Sequence, residues 1–190
     1  YMKQFLWFGD WGFGNYSGGT FKMPKVSIII VSFNVRSYLI GAIDSILKSN
    51  YLNYEIIVVD NNSYDNTVDI ISDKYPKVNI VSNVKNVGFG KAVNQGAKIA
   101  SGDYFLILNP DTIIEEDMIN DLIEYIESNK KIGMVGPKIL NSDGSLQLSC
   151  KRSFPTIKTA IPKIFGLDTL FQKSKLMGRY NLTYLDTDDN

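Results

Sequence analysis

The chain has no histidine in 190 residues. That absence removes imidazole acid–base chemistry, serine–histidine triads and histidine-ligated zinc from anything the chain does alone. Cys150 is the only cysteine, so no intrachain disulfide can form and a reducing compartment is expected. It reads as a small buried or half-buried apolar residue. No apolar run approaches the roughly 20 residues that cross a bilayer, and the N-terminus lacks the basic-then-apolar order of a secretory signal. The expected location is the cytoplasm, or the inner face of a membrane as a peripheral protein. An excess of charge is missing too: 20 Lys and Arg balance 20 Asp and Glu, so no global field draws the chain to nucleic acid. No fixed-period repeat occurs, which excludes solenoids. What remains is a 44% hydrophobic composition, ample for one core, in a length that suits one domain with appendages.

The hydrophobic pattern alternates short β-branched runs with stretches of helical spacing. Residues 26–31, 55–59, 78–82, 104–108 and 132–135 read as strands. Residues 36–48, 65–75, 91–100 and 115–129 read as amphipathic helices, the last with an acidic start that suits its dipole. Asn62 or Ser63 is placed to cap the second helix. Residues 138–148, with Asn141-Ser142-Asp143-Gly144 between two apolar runs, carry a hairpin signal. This order predicts an α/β fold, a mostly parallel sheet with helices on both faces plus a small hairpin. The central strand is Tyr104-Phe105-Leu106-Ile107-Leu108, whose lack of polar alternation suits cover on both faces. Pro110 then stops it.

Two stretches stand outside that pattern. Residues 1–23 are rich in glycine and aromatics without periodicity, and read as an ordered strap across the core or as a loosely held leader of unknown role. Residues 151–190 hold seven basic side chains (Lys151, Arg152, Lys158, Lys163, Lys173, Lys175, Arg179) against four acidic ones (Asp168, Asp186, Asp188, Asp189). Within them Ile157, Ile161, Ile164 and Phe165 recur among lysines in a segment broken by Pro162. Such a segment suits either an anionic membrane surface or packing on the domain as a solvated helix.

Polar residues cluster at strand ends: Ser32 with Asn34, Asp60-Asn61-Asn62-Ser63, and Asn109-Pro110-Asp111. On neighbouring strands these would converge on one crevice, the place where open α/β sheets bind ligands. A single Asp there is explained equally well as a helix cap; three polar ends together favour a nucleotide-sized site. A carboxylate such as Asp111 has a ready use in holding a divalent cation on a pyrophosphate. Gly88-Phe89-Gly90 ahead of a helix offers a phosphate-cradling turn. It follows the third strand, however, and Gly96 does not complete a dinucleotide fingerprint. No GxxxxGK[ST] supports an NTPase. Asp60 lacks the acidic pair on the first strand that a phospho-accepting aspartate needs. Ser32-Phe33-Asn34-Val35-Arg36 stands where a nucleotidyltransferase would have a glycine-rich basic loop.

Five motifs in order carry a resemblance: residues 26–34 (VSIIIVSFN), 58–63 (VVDNNS), 86–94 (NVGFGKAVN), 108–111 (LNPD) and 136–138 (GPK). Together they resemble the inverting family 2 glycosyltransferases of GT-A fold over about residues 24–156. The likeness is greatest to the rhamnosyltransferase-like branch, which has Asn-Pro-Asp where others have DXD. The resemblance implies that Asp60 sits at the base of a UDP- or dTDP-sugar donor, with Ser32, Asn34 and Asn62 lining the nucleoside pocket. It puts Gly88, Gly90, Lys91 and Asn94 beside the nucleotide, and Mg²⁺ or Mn²⁺ on Asp111 with Asn109. The acceptor implied is a glycan or a lipid-linked glycan. The family's carboxylate base lies in an acceptor half expected beyond Asn190, so this chain reads as a donor-binding half, inactive alone. A non-catalytic nucleotide-sugar-binding module is the alternative. The expected division is a leader (1–23), a nucleotide-sugar-binding GT-A domain (24–156) and a basic amphipathic segment opening the acceptor half (157–190).

Overall fold

Val26, Ile28, Ile29 and Ile30 are all fully buried, because alternate residues of one strand feed two separate cores. That strand is β2, Val26–Ser32. The computed structural model describes residues 23–141 and 143–147, the backbone of residues 5–7, and residues 156, 157, 161, 164, 165 and 174. It divides into two compact units, one within residues 2–137 and one holding residues 138–190.

The larger unit is a sheet with helices. In chain order it runs β1 (Phe5–Trp7), β2, α1 (Arg36–Ile46), β3 (Tyr54–Asp60), α2 (Thr67–Lys74) and β4 (Asn79–Ser82). It continues with α3 (Phe89–Ile99), β5 (Tyr104–Leu108), α4 (Met118–Ser128) and β6 (Met134–Val135). Across the sheet the order is β4-β3-β2-β5-β1-β6. The first four are parallel, with Ser32 level with Asp60 and Ile30 level with Leu108. β1 runs antiparallel between β5 and β6. The α/β reading of a mostly parallel sheet therefore holds. The reading found no element in residues 1–23, because a three-residue strand is too short to show a period.

The period-2 geometry of strands sorts the side chains. Val26, Ile28 and Ile30, with Ile56, Val58, Leu106 and Leu108, face the core that α1, α2 and α4 cover. Ile29, Ile57 and Val59 face a smaller core closed by Ala92 of α3. The chain advances from β2 to β3 to β4, then returns past β2 to β5, and right-handed crossovers carry α3 to the opposite face. Gly96 lets α3 approach closely: a Cβ there would lie 2.6 Å from Ile29 Cγ2.

Helix boundaries differ from the sequence reading at one point that bears on the site. α3 begins at Phe89, so Gly90 and Lys91 belong to its first turn. Nor do Asn62 and Ser63 cap α2: its N-terminal residue Asn66 is left-handed (φ 59°) and makes no side-chain cap bond. Asp65 serves that turn instead, accepting from Thr67 N at 3.2 Å and Thr67 Oγ1 at 2.5 Å.

In the smaller unit Leu140 bridges Leu146, and Asn141 N donates to Ser145 O at 2.8 Å, as a hairpin about residues 141–145 requires. Ile157, Ile161, Ile164 and Phe165 are exposed, and Phe165 N donates to Ile161 O at 3.2 Å. Cys150 and most of the basic segment lie outside the described residues. Among the described residues no helix is long and apolar enough to cross a membrane.

Candidate functional site

The loops after β2 and β3 are joined by a run of hydrogen bonds. Asn61 N donates to Ser32 O at 2.8 Å, Asn34 N to Ser63 Oγ at 2.9 Å, and Tyr64 N to Asn34 Oδ1 at 3.0 Å. Arg36 completes it, with its N on Asp65 Oδ2 at 3.1 Å and its guanidinium on Asp65 O at 2.7 Å. Burial raises the Asp65 carboxyl's pKa, but bonds from Thr67 and Arg36 outweigh this and leave it below the usual value. The loops turn sharply because Asn34 (φ 54°) and Asn62 (φ 70°) occupy the left-handed region, which asparagine tolerates. Phe33 and Tyr64 meet edge to face on the exposed rim, ring centroids 6.2 Å apart.

Asp60 ends β3 and is 1% exposed. Ser63 holds both its oxygens, through its N–H at 2.8 Å and its hydroxyl at 2.6 Å. The carboxylate keeps further lone pairs for a ligand, but its first partner is Ser63, a role the sequence reading did not anticipate. Asn62 is exposed.

On β3's other side, Asn83 N donates to Asp60 O at 2.9 Å, and Asn83 and Gln95 pair through their amides. This ties α3 to the strand ends. Gly88, which precedes the helix, takes φ +84°, a conformation that favours glycine. Gly90, Lys91 and Asn94 are exposed on α3's first two turns.

Asn109 directly follows β5, on the far side of β2 from β3. The strand order reverses between β2 and β5, so Ser32, Asp60 and Asn109 stand at the carboxyl ends of three adjacent strands at a switch point. Ser32 Oγ and Asn109 Oδ1 are buried with no hydrogen-bond partner, the two such side-chain atoms among the described residues. Buried polar atoms without partners are rare and call for a reason. Asp111 is exposed just beyond. The segment after it is pinned to α1 and the turn that follows it: Ile114 N donates to Ser45 Oγ at 3.2 Å and Asn50 N to Glu116 O at 2.9 Å.

Among the described residues no group of three or more Asp, Glu, Cys or His side chains gathers to hold a metal by itself. An exposed carboxylate, Asp111, two residues along the chain from the unpartnered Asn109 Oδ1, nevertheless supplies the oxygen donors that suit Mg²⁺ or Mn²⁺, hard cations that take one or two protein oxygens and complete their shell with phosphates and water.

Residues 27–179 match the profile of the family described as "Glycosyl transferase family 2". The chain belongs to that family. Among curated relatives, the poly-beta-1,6-N-acetyl-D-glucosamine synthase of Staphylococcus epidermidis is 32% identical over 181 residues, which is 88% of this chain and 43% of that protein. The chain thus spans under half the length of this relative. Among solved structures, S. aureus TarS residues 1–349 in complex with UDP-GlcNAc is 27% identical with a TM-score of 0.52, over 56% of this chain and 32% of that one. A Pyrobaculum calidifontis mannosyltransferase in complex with GDP-Man and Mn²⁺ is 22% identical with a TM-score of 0.52, over 56% and 33%, and shares the fold. These likenesses establish the GT-A architecture.

Proposed function

We propose that this chain is the donor-binding part of an enzyme that moves a sugar from a nucleoside diphosphate to a glycan or lipid-linked acceptor, with inversion, in cell-surface polysaccharide synthesis. The observation that carries the reading is the switch point, where Ser32 Oγ and Asn109 Oδ1 are buried without partners beside Asp60. In this reading Ser32, Asn34, Asp60 and Asn62 line the nucleoside, and Gly88, Gly90, Lys91 and Asn94 stand beside the diphosphate. Asp111, with Asn109, holds Mg²⁺ or Mn²⁺. When bound, the ion offsets negative charge developing on the departing diphosphate. A UDP-sugar is the first donor to test, because UDP-GlcNAc is bound in the TarS complex. dTDP-rhamnose is the second, since thymine offers a carboxylate such as Asp60 the same N–H edge as uracil.

Inversion needs a carboxylate to take the acceptor's proton. The chain spans 43% of its curated relative, and in this reading the residues named above serve donor binding and not that proton transfer. A non-catalytic nucleotide-sugar-binding module is the second reading, favoured by the 43% coverage of the curated relative. Glycosyl transfer by the full-length gene product would exclude it. The exposed Ile157, Ile161, Ile164 and Phe165 support peripheral contact with an anionic membrane, read by co-sedimentation with anionic against neutral vesicles.

The deciding experiment is calorimetric titration of UDP and dTDP into this chain with Mn²⁺ and then with EDTA. Binding of at least one nucleotide, strengthened by Mn²⁺, is expected. Failure of both to bind this chain and the full-length protein would overturn the donor-site reading.

A further inference from the structure

Asn83 and Gln95 have no part in the donor-site reading above, yet their two amides pair reciprocally next to it. Asn83 Nδ2 donates to Gln95 Oε1 and Gln95 Nε2 donates to Asn83 Oδ1, both at 2.9 Å. Asn83 Nδ2 also donates to Asn61 Oδ1 at 3.0 Å. Asn61 is 2% exposed and directly follows Asp60, whose carbonyl accepts from Asn83 N at 2.9 Å. Three amides therefore join the ends of β3 and β4 to the second turn of α3.

Two bonds between one pair of planar amides constrain orientation as well as distance. The close approach at Gly96 sets how near α3 lies to Ile29 and Val59, but a smooth apolar contact leaves the helix freer to roll. The amide pair resists that roll. Lys91 precedes Gln95 by one turn, so the two side chains leave α3 on the same face. That face is turned toward the ends of β3 and β4, because Gln95 reaches Asn83 there.

We infer that the Asn83–Gln95 pair is a positioning device, holding α3 in the rotation that presents Lys91 to the diphosphate of the bound donor. The inference rests on the donor-site reading and adds to it residues that touch no ligand. Lysine carries its charge on a flexible four-carbon stem, so the roll of the helix decides which volume the ammonium samples. A pair that merely fastened the helix would affect every part of the ligand alike. A pair that aims Lys91 affects the phosphates alone.

Gln95→Met tests this, since it keeps length and apolar stem and removes both amide bonds. UDP affinity is measured by calorimetry and uridine affinity by NMR titration, on this chain, for the parent, Gln95→Met, Lys91→Ala and the double variant. Expected are a loss of about tenfold for UDP in Gln95→Met, uridine affinity within about twofold, and no additional loss when the change is made on Lys91→Ala. Gln95→Glu, which can still accept from Asn83 Nδ2, should recover part of the UDP affinity. Parental UDP affinity in Gln95→Met would overturn the inference. So would equal losses for UDP and uridine, or losses that add to those of Lys91→Ala. A parent chain that binds UDP while the variants behave in those ways leaves the donor site standing; a parent that binds no UDP overturns the inference, and the donor site falls with it only if dTDP fails as well, on this chain and on the full-length protein.

Discussion

Ser63 grips both oxygens of Asp60, through its N–H on Oδ2 at 2.8 Å and its hydroxyl on Oδ1 at 2.6 Å. The same hydroxyl oxygen accepts from Asn34 N at 2.9 Å, so one serine closes the β2 and β3 loops around a nearly buried carboxylate. Ser63→Ala strips Asp60 Oδ1 of its donor and Asn34 N–H of its acceptor. We predict a destabilisation of about 1–3 kcal/mol, read from the urea midpoint, together with weaker UDP binding. An unchanged midpoint would show that water replaces the hydroxyl without loss.

Asp60 and Asp111 are predicted to fail in different ways. Asp60→Ala should weaken UDP and dTDP whether Mn²⁺ or EDTA is present. Asp111→Ala should remove only the metal-dependent part of the affinity and, because Asp111 is exposed, shift stability by no more than about 0.5 kcal/mol. Equal metal enhancement in Asp111→Ala and parent would take the ion away from this residue.

Gly96 and Gly90 lie in the same helix with opposite expectations. An alanine Cβ at Gly96 would stand 2.6 Å from Ile29 Cγ2 and 3.3 Å from Val59 Cγ2, so Gly96→Ala should cost about 1–3 kcal/mol by overpacking. At Gly90 nothing lies within 4 Å of such a Cβ, and Gly90→Ala should raise stability by about 0.5–1 kcal/mol through helix propensity. Thermal denaturation of the two variants checks both signs. If Gly96→Ala is as stable as the parent, α3 can lift from the sheet at no cost.

Glu55 should make the fold sensitive to acid. Burial pushes its carboxyl up, but hydrogen bonds from Ser27, from Ser101 N–H and hydroxyl, and from Lys25 outweigh that and leave it below its ordinary 4.5. Ser27 Oγ stands 2.6 Å from Glu55 Oε1, and Lys25 Nζ 3.2 Å from Oε2. A carboxyl depressed in the folded state contributes stability above its unfolded pKa and loses it as pH falls through the folded one. Between about pH 5 and 3 the parent should therefore lose stability more steeply than Glu55→Gln. Parallel urea midpoints for the two proteins across that range would rule the contribution out.

Much of the architecture was legible locally. Val26 to Val31 and Tyr104 to Leu108 announce buried strands because a strand covered on both faces has no polar side to show. The expected polar clusters at Ser32, Asp60 and Asn109 mark strand ends because Asn, Asp and Ser leave ladders readily. β1 was not legible: Phe5–Trp7 pairs with β5 and β6, and a three-residue strand takes its identity from partners as distant in sequence as Ile107 and Val135. The amide pair was equally hidden, since Asn83 and Gln95 are unremarkable in pattern and gain meaning only by meeting.

By itself, then, the sequence determined the alternation of strand and helix, the polar strand ends and the exclusion of histidine chemistry, all of which depend on residue type and short-range period. Only the tertiary structure decided that the chain doubles back past β2 to set Asn109 beside Ser32 and Asp60 at a reversal of strand order. It alone decided that Ser63 holds Asp60 and that Gln95 holds α3. The physical reason is that hydrogen-bond partners and strand neighbours are chosen by how distant segments pack, and local periodicity carries no record of that choice.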